Sequence, residues 1–187
     1  GAILFAKGEL ALADQYLSQA ATSFPDHLPT IKLMAAARMK LNQMDRALET
    51  LEPAVERYPE DAQLLAMLGN AYLQVGRFQE GSELLSEAVA INPELAALRT
   101  QLAFGLLAQG NTGEAITELQ TAVDLGQDLV QADVLLIMSQ LHKRDFESDL
   151  AAIAVLAELR KDINQAKSGD TEKANQLVAI LKSLAGL

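Results

Sequence analysis

The side chains that most often carry catalysis or bind metals are sparse in this sequence. It contains two histidines, His27 and His142, and no cysteine. His27 follows Pro25 in a predicted loop, and His142 falls at the end of a predicted helix, where a cationic or polar tip suits the carboxyl terminus. No pair of histidines, cluster of cysteines or group of carboxylates has the spacing of a metal site. We therefore expect no catalytic residue, no metal and no cofactor.

Glutamates are the remaining candidates for acid–base chemistry. Steps of three or four residues place Glu80, Glu83 and Glu87 along one face of a predicted helix, and Glu114 and Glu118 repeat the pattern further on. A catalytic carboxyl needs surroundings that move its pKa toward the working pH. The sequence shows nothing that would sequester these carboxylates, so we expect a solvated helix face.

The string Gly-Asn-Thr-Gly at 110–113 has the composition of a phosphate-binding loop. A P-loop follows a strand and carries a lysine, whereas a predicted helix precedes this string and no lysine follows it. We interpret it as a turn between two helices. These observations together predict a protein that is not an enzyme.

The positions that recur most regularly are structural, and they recur every 34 residues. Pro25, Pro59 and Pro93 show this step. A period of 34 residues in a helix-compatible composition is the signature of a helix–turn–helix solenoid, which usually offers a surface for binding other proteins. Three further series share the period: Ala20, Ala54, Ala88 and Ala122; Leu17, Leu51, Leu85 and Leu119, extended by Ile153; and Gly8, Gly76 and Gly110, with Asn42 in the remaining place.

The composition agrees with a helical array and narrows the class of partner. Half of the 187 residues are apolar and only 4% are aromatic, a mixture that suits helix–helix packing better than sheets. The net charge is −10, and the segments 62–95 and 96–129 each carry one basic and four acidic residues. Because nucleic-acid binding needs clustered Lys and Arg, we expect a protein or peptide partner and no nucleic acid.

The sequence also bears on membranes and location. No apolar run reaches the roughly 18 residues that a membrane-spanning helix needs, so we expect no direct membrane insertion by this segment. No signal peptide is visible. The period places Gly1 at the eighth position of a unit, which predicts a piece of a longer protein. An export signal or lipid anchor could then lie upstream, and we favour a periplasmic or membrane-anchored location over a cytoplasmic one.

The period divides the chain into units of two antiparallel helices, helix A and helix B. In the second unit we expect helix A from Leu28 to Leu41 and helix B from Met44 to Arg57. The predicted order is a partial repeat at 1–27, repeats at 28–61, 62–95 and 96–129, a degenerate repeat at 130–163, and a C-terminal capping helix within 164–187.

Two glycines should mark the closest approach of helix A and helix B in the repeat 62–95. They are Gly69 and Gly81, and the equivalent pairs elsewhere are Ala35 with Ala47 and Ala103 with Ala115. A larger side chain at such a point would force the helices apart, because overpacking a tight contact is destabilising.

Eight positions of the repeat 62–95 resemble the pattern of the tetratricopeptide repeat. They are Leu65, Leu68, Gly69, Tyr72, Gly81, Leu85, Ala88 and Pro93. Leu65 stands where that family frequently has Trp, and Gly81 where it usually has Ala. The resemblance covers 1–163 and is strongest over 28–129. It implies an all-α fold, a right-handed superhelical solenoid of antiparallel helix pairs, with a concave groove lined by the A helices.

The resemblance also implies which residues line that groove, because positions 2, 5, 9 and 12 of related repeats tend to face the concave side. An alternative stays open for Leu73, Leu107 and Leu141, whose position often turns inward to the core between repeats. An uncharged lining with apolar anchors and amides would suit an extended peptide or an amphipathic helix. The expected peptide-binding residues are Lys32, Met39, Asn70, Leu73, Thr100, Phe104, Leu107, Gln131 and Met138.

Some members of the family clamp the terminal carboxylate of a chaperone peptide with Lys and Asn from adjacent units. Here Ala36 replaces the Asn that would accompany Lys32, and Ala66 replaces the Lys that would accompany Asn70. We therefore expect a non-catalytic scaffold that binds another kind of peptide or helix. The alternative is a structural module that self-associates through its solenoid ends into a homo-oligomer.

A second resemblance concerns the string from Leu141 to Leu159, which contains Lys143, Arg144, Asp145 and Phe146. It is similar to repeats in bacterial tetratricopeptide lipoproteins that are associated with exopolysaccharide production and the PEP-CTERM sorting system. This similarity implies a role in a bacterial exopolysaccharide or protein-sorting assembly.

Overall fold

The structure, a computed structural model, describes residues 1–126 together with Leu135 and Ser139. No strand occurs among the described residues, and the helices predicted at 28–41 and 44–57 are confirmed as α3 and α4. The predicted repeat 130–163 and the capping helix within 164–187 lie outside the described residues, apart from Leu135 and Ser139, which are helical. The helices are α1 (Ala2–Ala6), α2 (Leu10–Ser23), α3 (Leu28–Lys40), α4 (Met44–Arg57), α5 (Ala62–Gln74), α6 (Phe78–Ile91), α7 (Ala96–Ala108) and α8 (Thr112–Asp124).

The turns inside the helix pairs require a left-handed backbone. Gly8, Gly76 and Gly110 have φ angles of 79°, 82° and 81°, and Asn42 occupies the same place with a φ of 58°. After α5 the amide of Gly76 donates to the carbonyl of Leu73 and the next amide reaches back to Tyr72, the two bonds of a Schellman motif. The series of glycines with one asparagine, seen in the sequence, is therefore confirmed as a series of helix ends.

The core lies between the helices of each pair and between successive pairs. In the repeat 62–95, Leu64, Leu65 and Leu85 are at most 1% exposed. A Cβ atom built on Gly69 would lie 2.9 Å from the carbonyl oxygen of Gly81. The equivalent alanines Ala35, Ala47, Ala103 and Ala115 are fully buried. The predicted contact between helix A and helix B is confirmed.

We expect Gly81→Ala to lower the free energy of unfolding by about 1–3 kcal/mol, although alanine is common at this place in related repeats. The added Cβ would lie 2.7 Å from the carbonyl oxygen of Gly69 and 2.7 Å from Leu73 Cδ2. The control is Gly113→Ala in α8, where no atom lies within 4 Å of the added methyl. That change should raise stability by about 0.5–1 kcal/mol, and urea denaturation measures both. Equal changes in the free energy of unfolding for the two variants would contradict the close contact between α5 and α6.

A buried ionic network joins α2, α3 and α4. Arg38 Nε lies 2.8 Å from Asp14 Oδ1, and Arg46 Nη1 lies 2.9 Å from Asp14 Oδ2. Arg38 also donates to the hydroxyl of Ser18 at 3.1 Å and to that of Thr50. The side chains of Asp14 and Arg38 are only 8% and 11% exposed. The pairing satisfies both charges inside the solenoid, so this network fixes three helices relative to one another.

Candidate functional site

The A helices form the inner side of the solenoid. Helix α3 contacts α5, and α5 contacts α7, whereas α4 with α6 and α6 with α8 make no comparable contact among the described residues. Because the A helices adjoin and the B helices diverge, the array curves toward the A helices. The concave surface is therefore composed of α3, α5 and α7.

Lys32 on α3 reaches across to the next repeat. Its ammonium nitrogen lies 2.8 Å from Asp61 Oδ2 and donates to Gln63 Oε1 at 3.0 Å. Asp61 also caps α5, because its other carboxylate oxygen accepts from the backbone amide of Leu64 at 2.9 Å. Lys32 is thus already neutralised by an intramolecular partner, so it ties two A helices together and adds little positive charge to the groove.

The pairing of Asp61 predicts an acid-dependent loss of stability. Burial raises its pKa, but the bonds from Lys32 and from the amide of Leu64 outweigh burial and hold the pKa below its usual 3.8. A lowered folded-state pKa contributes stability above about pH 3.8 that is lost as the pH falls through the folded-state value. Asp61→Asn keeps a capping oxygen. Urea denaturation at a series of pH values should therefore show that wild type is more stable than this variant above about pH 3.8 and that the difference in free energy of unfolding disappears below it. A difference that does not change with pH would contradict this.

Phe104 on α7 is the most exposed of the predicted groove residues that the structure describes. Half of its surface, 50%, is accessible, although it is a large apolar side chain on a helix. Met39 and Leu107 are half-buried and pack with their inner sides on the core. Asn70, at the position of α5 that corresponds to Phe104, is half-buried and makes no hydrogen bond with its side chain within residues 1–126. Apolar surface and a free amide are therefore both available on this side.

Two predicted groove residues lie beneath the accessible surface instead. Leu73 is 6% exposed and belongs to the core. Its Cδ2 would lie 3.1 Å from a Cβ at Gly105, because that glycine lets α7 approach closely. Thr100 is 5% exposed, and its hydroxyl donates to the carbonyl of Ala96 at 3.0 Å. Leu73 thus takes the alternative that its position left open, in the core between repeats, whereas the expectation that Thr100 lines the groove is corrected.

The remaining sequence candidates have varied placements. Gln131 and Met138 lie outside the described residues, as does His142. His27 precedes α3 at its N-cap, and its Nδ1 lies 2.8 Å from Thr30 Oγ1.

The groove contact that the site prediction missed is the bond from Lys32 to Gln63. The sequence did indicate that Gln63 faces the groove, because it occupies position 2 of its unit, which faces the concave side in related repeats.

The described residues offer no obvious catalytic centre. Within them, no group of three or more His, Asp or Glu side chains is arranged to hold a metal ion. The string at 110–113 is the turn between α7 and α8. No helix in the described part of the chain combines the length and apolar character needed to cross a bilayer.

A curved array of antiparallel helix pairs with a 34-residue period defines a class of repeat solenoid. The family model for the tetratricopeptide repeat matches residues 4–71 and 72–141. The chain belongs to the tetratricopeptide repeat family. A second model, for the DALR domain, matches residues 150–187, all of which lie outside the described residues. No curated protein matches the chain by sequence.

Solved structures show the same fold at low sequence identity. MamA from Desulfovibrio magneticus RS-1 aligns with a TM-score of 0.77 at 18% identity over 90% of this chain and 92% of that chain. The protein TTC0263 of Thermus thermophilus aligns with a TM-score of 0.72 at 22% identity over 97% and 95%. The first repeat domain of Spaghetti (RPAP3), bound to the HSP90 peptide SRMEEVD, aligns with a TM-score of 0.57 at 17% identity over 60% and 89%. The fold is thus a right-handed superhelical solenoid.

Proposed function

We propose that this chain is a non-catalytic scaffold whose concave groove binds apolar side chains of a protein segment. The observation that carries the proposal is Phe104, half exposed on the inner surface of α7. When a partner covers a large apolar side chain that is exposed on a helix, the complex is stabilised by about 25 cal/mol per Å² of apolar surface removed from water. A peptide that covers Phe104 is therefore favoured over one that binds only through charge.

The chemistry of the surrounding groove narrows the kind of segment. Lys32 is the one charged residue among the predicted groove residues, and Asp61 neutralises it at 2.8 Å. Asn70 offers an amide that can donate to or accept from a peptide backbone. An extended peptide with spaced apolar side chains satisfies both features, whereas an amphipathic helix, whose backbone bonds are internal, would reach Asn70 only through a side chain.

The related structure of RPAP3 holds an HSP90 peptide, which supports peptide binding by this class of fold. We do not propose the same peptide here. The ammonium group of Lys32 is occupied by Asp61 and Gln63, and Ala36 and Ala66 stand where a carboxylate clamp would need Asn and Lys. The partner segment is therefore expected to bind through its side chains and not through a free carboxyl terminus.

Selection from a random peptide library on the 187-residue chain tests this proposal. We expect enriched peptides to carry apolar residues two, three or four positions apart, and to bind equally well with a free or an amidated carboxyl terminus. Enrichment of acidic peptides that require a free terminus would contradict the proposal, because it would demonstrate a clamp.

A second candidate is self-association, and exposed apolar side chains on α1 and α2 favour it. Ile3, Leu12 and Tyr16 are 74%, 40% and 51% exposed. If these surfaces pair, light scattering across a concentration series should show a mass that rises with concentration. The variant Leu12→Glu should then hold the protein monomeric, whereas Phe104→Glu should leave the association unchanged.

The pathway stays a prediction. Assignment to an exopolysaccharide or protein-sorting assembly depends on the string from Leu141 to Leu159, which lies outside the described residues. A periplasmic or membrane-anchored location is likewise a prediction. Fractionation of cells that express the protein would test the location.

A further inference from the structure

The outer side of the solenoid carries a cavity that the groove does not use. A cavity of about 430 Å³ lies between α6 and α8, above α7. This volume falls within the usual range of ligand pockets, about 300–1,000 Å³. We call it the α6–α8 cleft. It opens where consecutive B helices diverge, so it faces away from the concave groove.

The floor of the cleft is apolar, and polar bonds join the helices that surround it. Leu102 and Leu106 of α7 form the floor. The side-chain amide of Gln109 donates to Ser82 Oγ at 2.7 Å and to the carbonyl of Phe78 at 3.2 Å. These bonds fix α7 against α6, and the cleft is consequently a preformed feature of the helix packing.

An ion pair joins α7 to α8, and its carboxylate, Glu118, lines the cleft. Arg99 Nη1 lies 2.7 Å from Glu118 Oε2, and Arg99 Nε donates to the carbonyl of Pro93 at 2.8 Å. The two side chains are only 16% and 24% exposed. This tie fixes α7 against α8 and already pairs one carboxylate of the cleft.

The other carboxylates of the cleft are available. Glu83 on α6 and Glu114 on α8 both line it, and neither forms an ion pair within residues 1–126. Glu83 accepts only from the side-chain amide of Gln79, at 3.1 Å. The lining contains no lysine or arginine. Two carboxylates without an ion-pair partner therefore lie on opposite walls of the cleft, above its apolar floor.

A third acceptor lies deeper in the wall. The hydroxyl oxygen of Ser82 is part of a side chain only 6% exposed. It accepts one hydrogen bond, from Gln109, and keeps a second lone pair free. The cleft thus offers hydrogen-bond acceptors at its rim, on Glu83 and Glu114, and deeper in its wall, on Ser82.

The wider surroundings strengthen the negative potential. Residues 62–126 contain seven acidic residues and two arginines. Both arginines are already paired, Arg77 with Glu80 and Glu52, and Arg99 with Glu118. No free cation from this half of the described chain can neutralise the cleft, so a positively charged group must come from another molecule.

We propose that the α6–α8 cleft binds an arginine or lysine side chain presented by a partner protein. Such a side chain places its aliphatic stem on Leu102 and Leu106 and its charged head between Glu83 and Glu114. Two carboxylates on facing walls match the several donors of a guanidinium. The site is independent of the concave groove, so one protein can engage both faces at once.

A fluorescently labelled tetra-arginine peptide with an amidated terminus is the probe, and anisotropy with the 187-residue chain is the readout. We expect binding that weakens as salt rises, because the carboxylates lie at the surface. The double variant Glu83→Gln with Glu114→Gln should weaken binding roughly fivefold to tenfold. Phe104→Glu should leave binding unchanged.

The control removes the same charge away from the cleft, by Glu49→Gln in α4 with Glu60→Gln. Both residues are exposed, and this double variant should change binding by less than about twofold. Equal losses in the two double variants would overturn the proposal, since they would indicate attraction to overall negative charge. Absence of binding by wild type, or displacement of the peptide by spermidine at an equal concentration of charge, would also overturn it.

Discussion

Replacing Arg38 with methionine should lower the free energy of unfolding by about 3–5 kcal/mol, because the change leaves a buried carboxylate without its main partner. Asp14 has only 8% of its side chain exposed. Methionine keeps much of the apolar stem of arginine, so the loss reports on charge more than on volume. Arg46 still lies 2.9 Å from the other oxygen of Asp14, which places the effect toward the lower end of the range. Urea denaturation measures it.

The matched control is Arg57→Met. Arg57 also pairs with an aspartate, Asp26 at 2.5 Å, but the two side chains are 50% and 70% exposed. Exposed ion pairs contribute about 0–1 kcal/mol, so this variant should lose less than about 1 kcal/mol. Similar losses for Arg57→Met and Arg38→Met would show that burial of the Asp14 network does not set its strength.

Phe104→Glu should weaken binding of groove-selected peptides about 30-fold or more, the effect of losing an interface residue that contributes roughly 2 kcal/mol. The substitution removes an apolar anchor and puts an unpaired charge where a partner would exclude water. Because Phe104 is 50% exposed, the variant should stay folded, and circular dichroism checks this. Anisotropy with a labelled peptide measures the affinity.

The chain supplies its own control in Phe24→Glu. Phe24 is 68% exposed and follows the last residue of α2, in the connection between two repeats. The substitution is chemically identical, yet the site lies off the concave surface, so peptide affinity should change by less than about twofold. Equal weakening in both variants would assign the effect to added negative charge and not to the groove.

The period of the sequence predicted the order of helices and turns within residues 1–126. In the four units within residues 1–126 a left-handed residue ends helix A, and glycine or asparagine recurs there every 34 residues from Gly8 to Gly110. The pairing of small residues at the contact of helix A with helix B was also predictable, since only Gly or Ala fits where two backbones approach. These features are local or repeat strictly, so one sequence is enough to reveal them.

The accessible part of the groove could be predicted only in part. Leu73 and Leu107 occupy the same position in successive units, yet Leu73 is buried in the core while Leu107 is half-buried. The difference arises because Gly105 brings α7 close to Leu73, and a contact between repeats does not follow from position within one repeat. Thr100 can be buried without an unpaired hydroxyl because that hydroxyl donates to the carbonyl of Ala96 in its own helix, and its position within the repeat does not reveal this.

The polar tertiary contacts were not predictable either. Asp14 and Arg38 are separated by 24 residues, and Arg99 and Glu118 by 19, so no local pattern joins them. The α6–α8 cleft depends on the distance between two helices that do not follow each other in sequence. Glu83, Glu114 and Glu118 were predicted as a solvated face, and the structure adds the cavity that they surround.

Hydrogen exchange with mass spectrometry on a complex with a groove-selected peptide tests the central claim most directly. If the concave side binds the peptide, amide exchange should slow in fragments from α5 and α7 and stay unchanged in fragments from α4 and α6. The A helices would then be the binding surface, with Phe104 at its centre. Slowing confined to α4, α6 and α8 would contradict the account and place the binding site on the outer face.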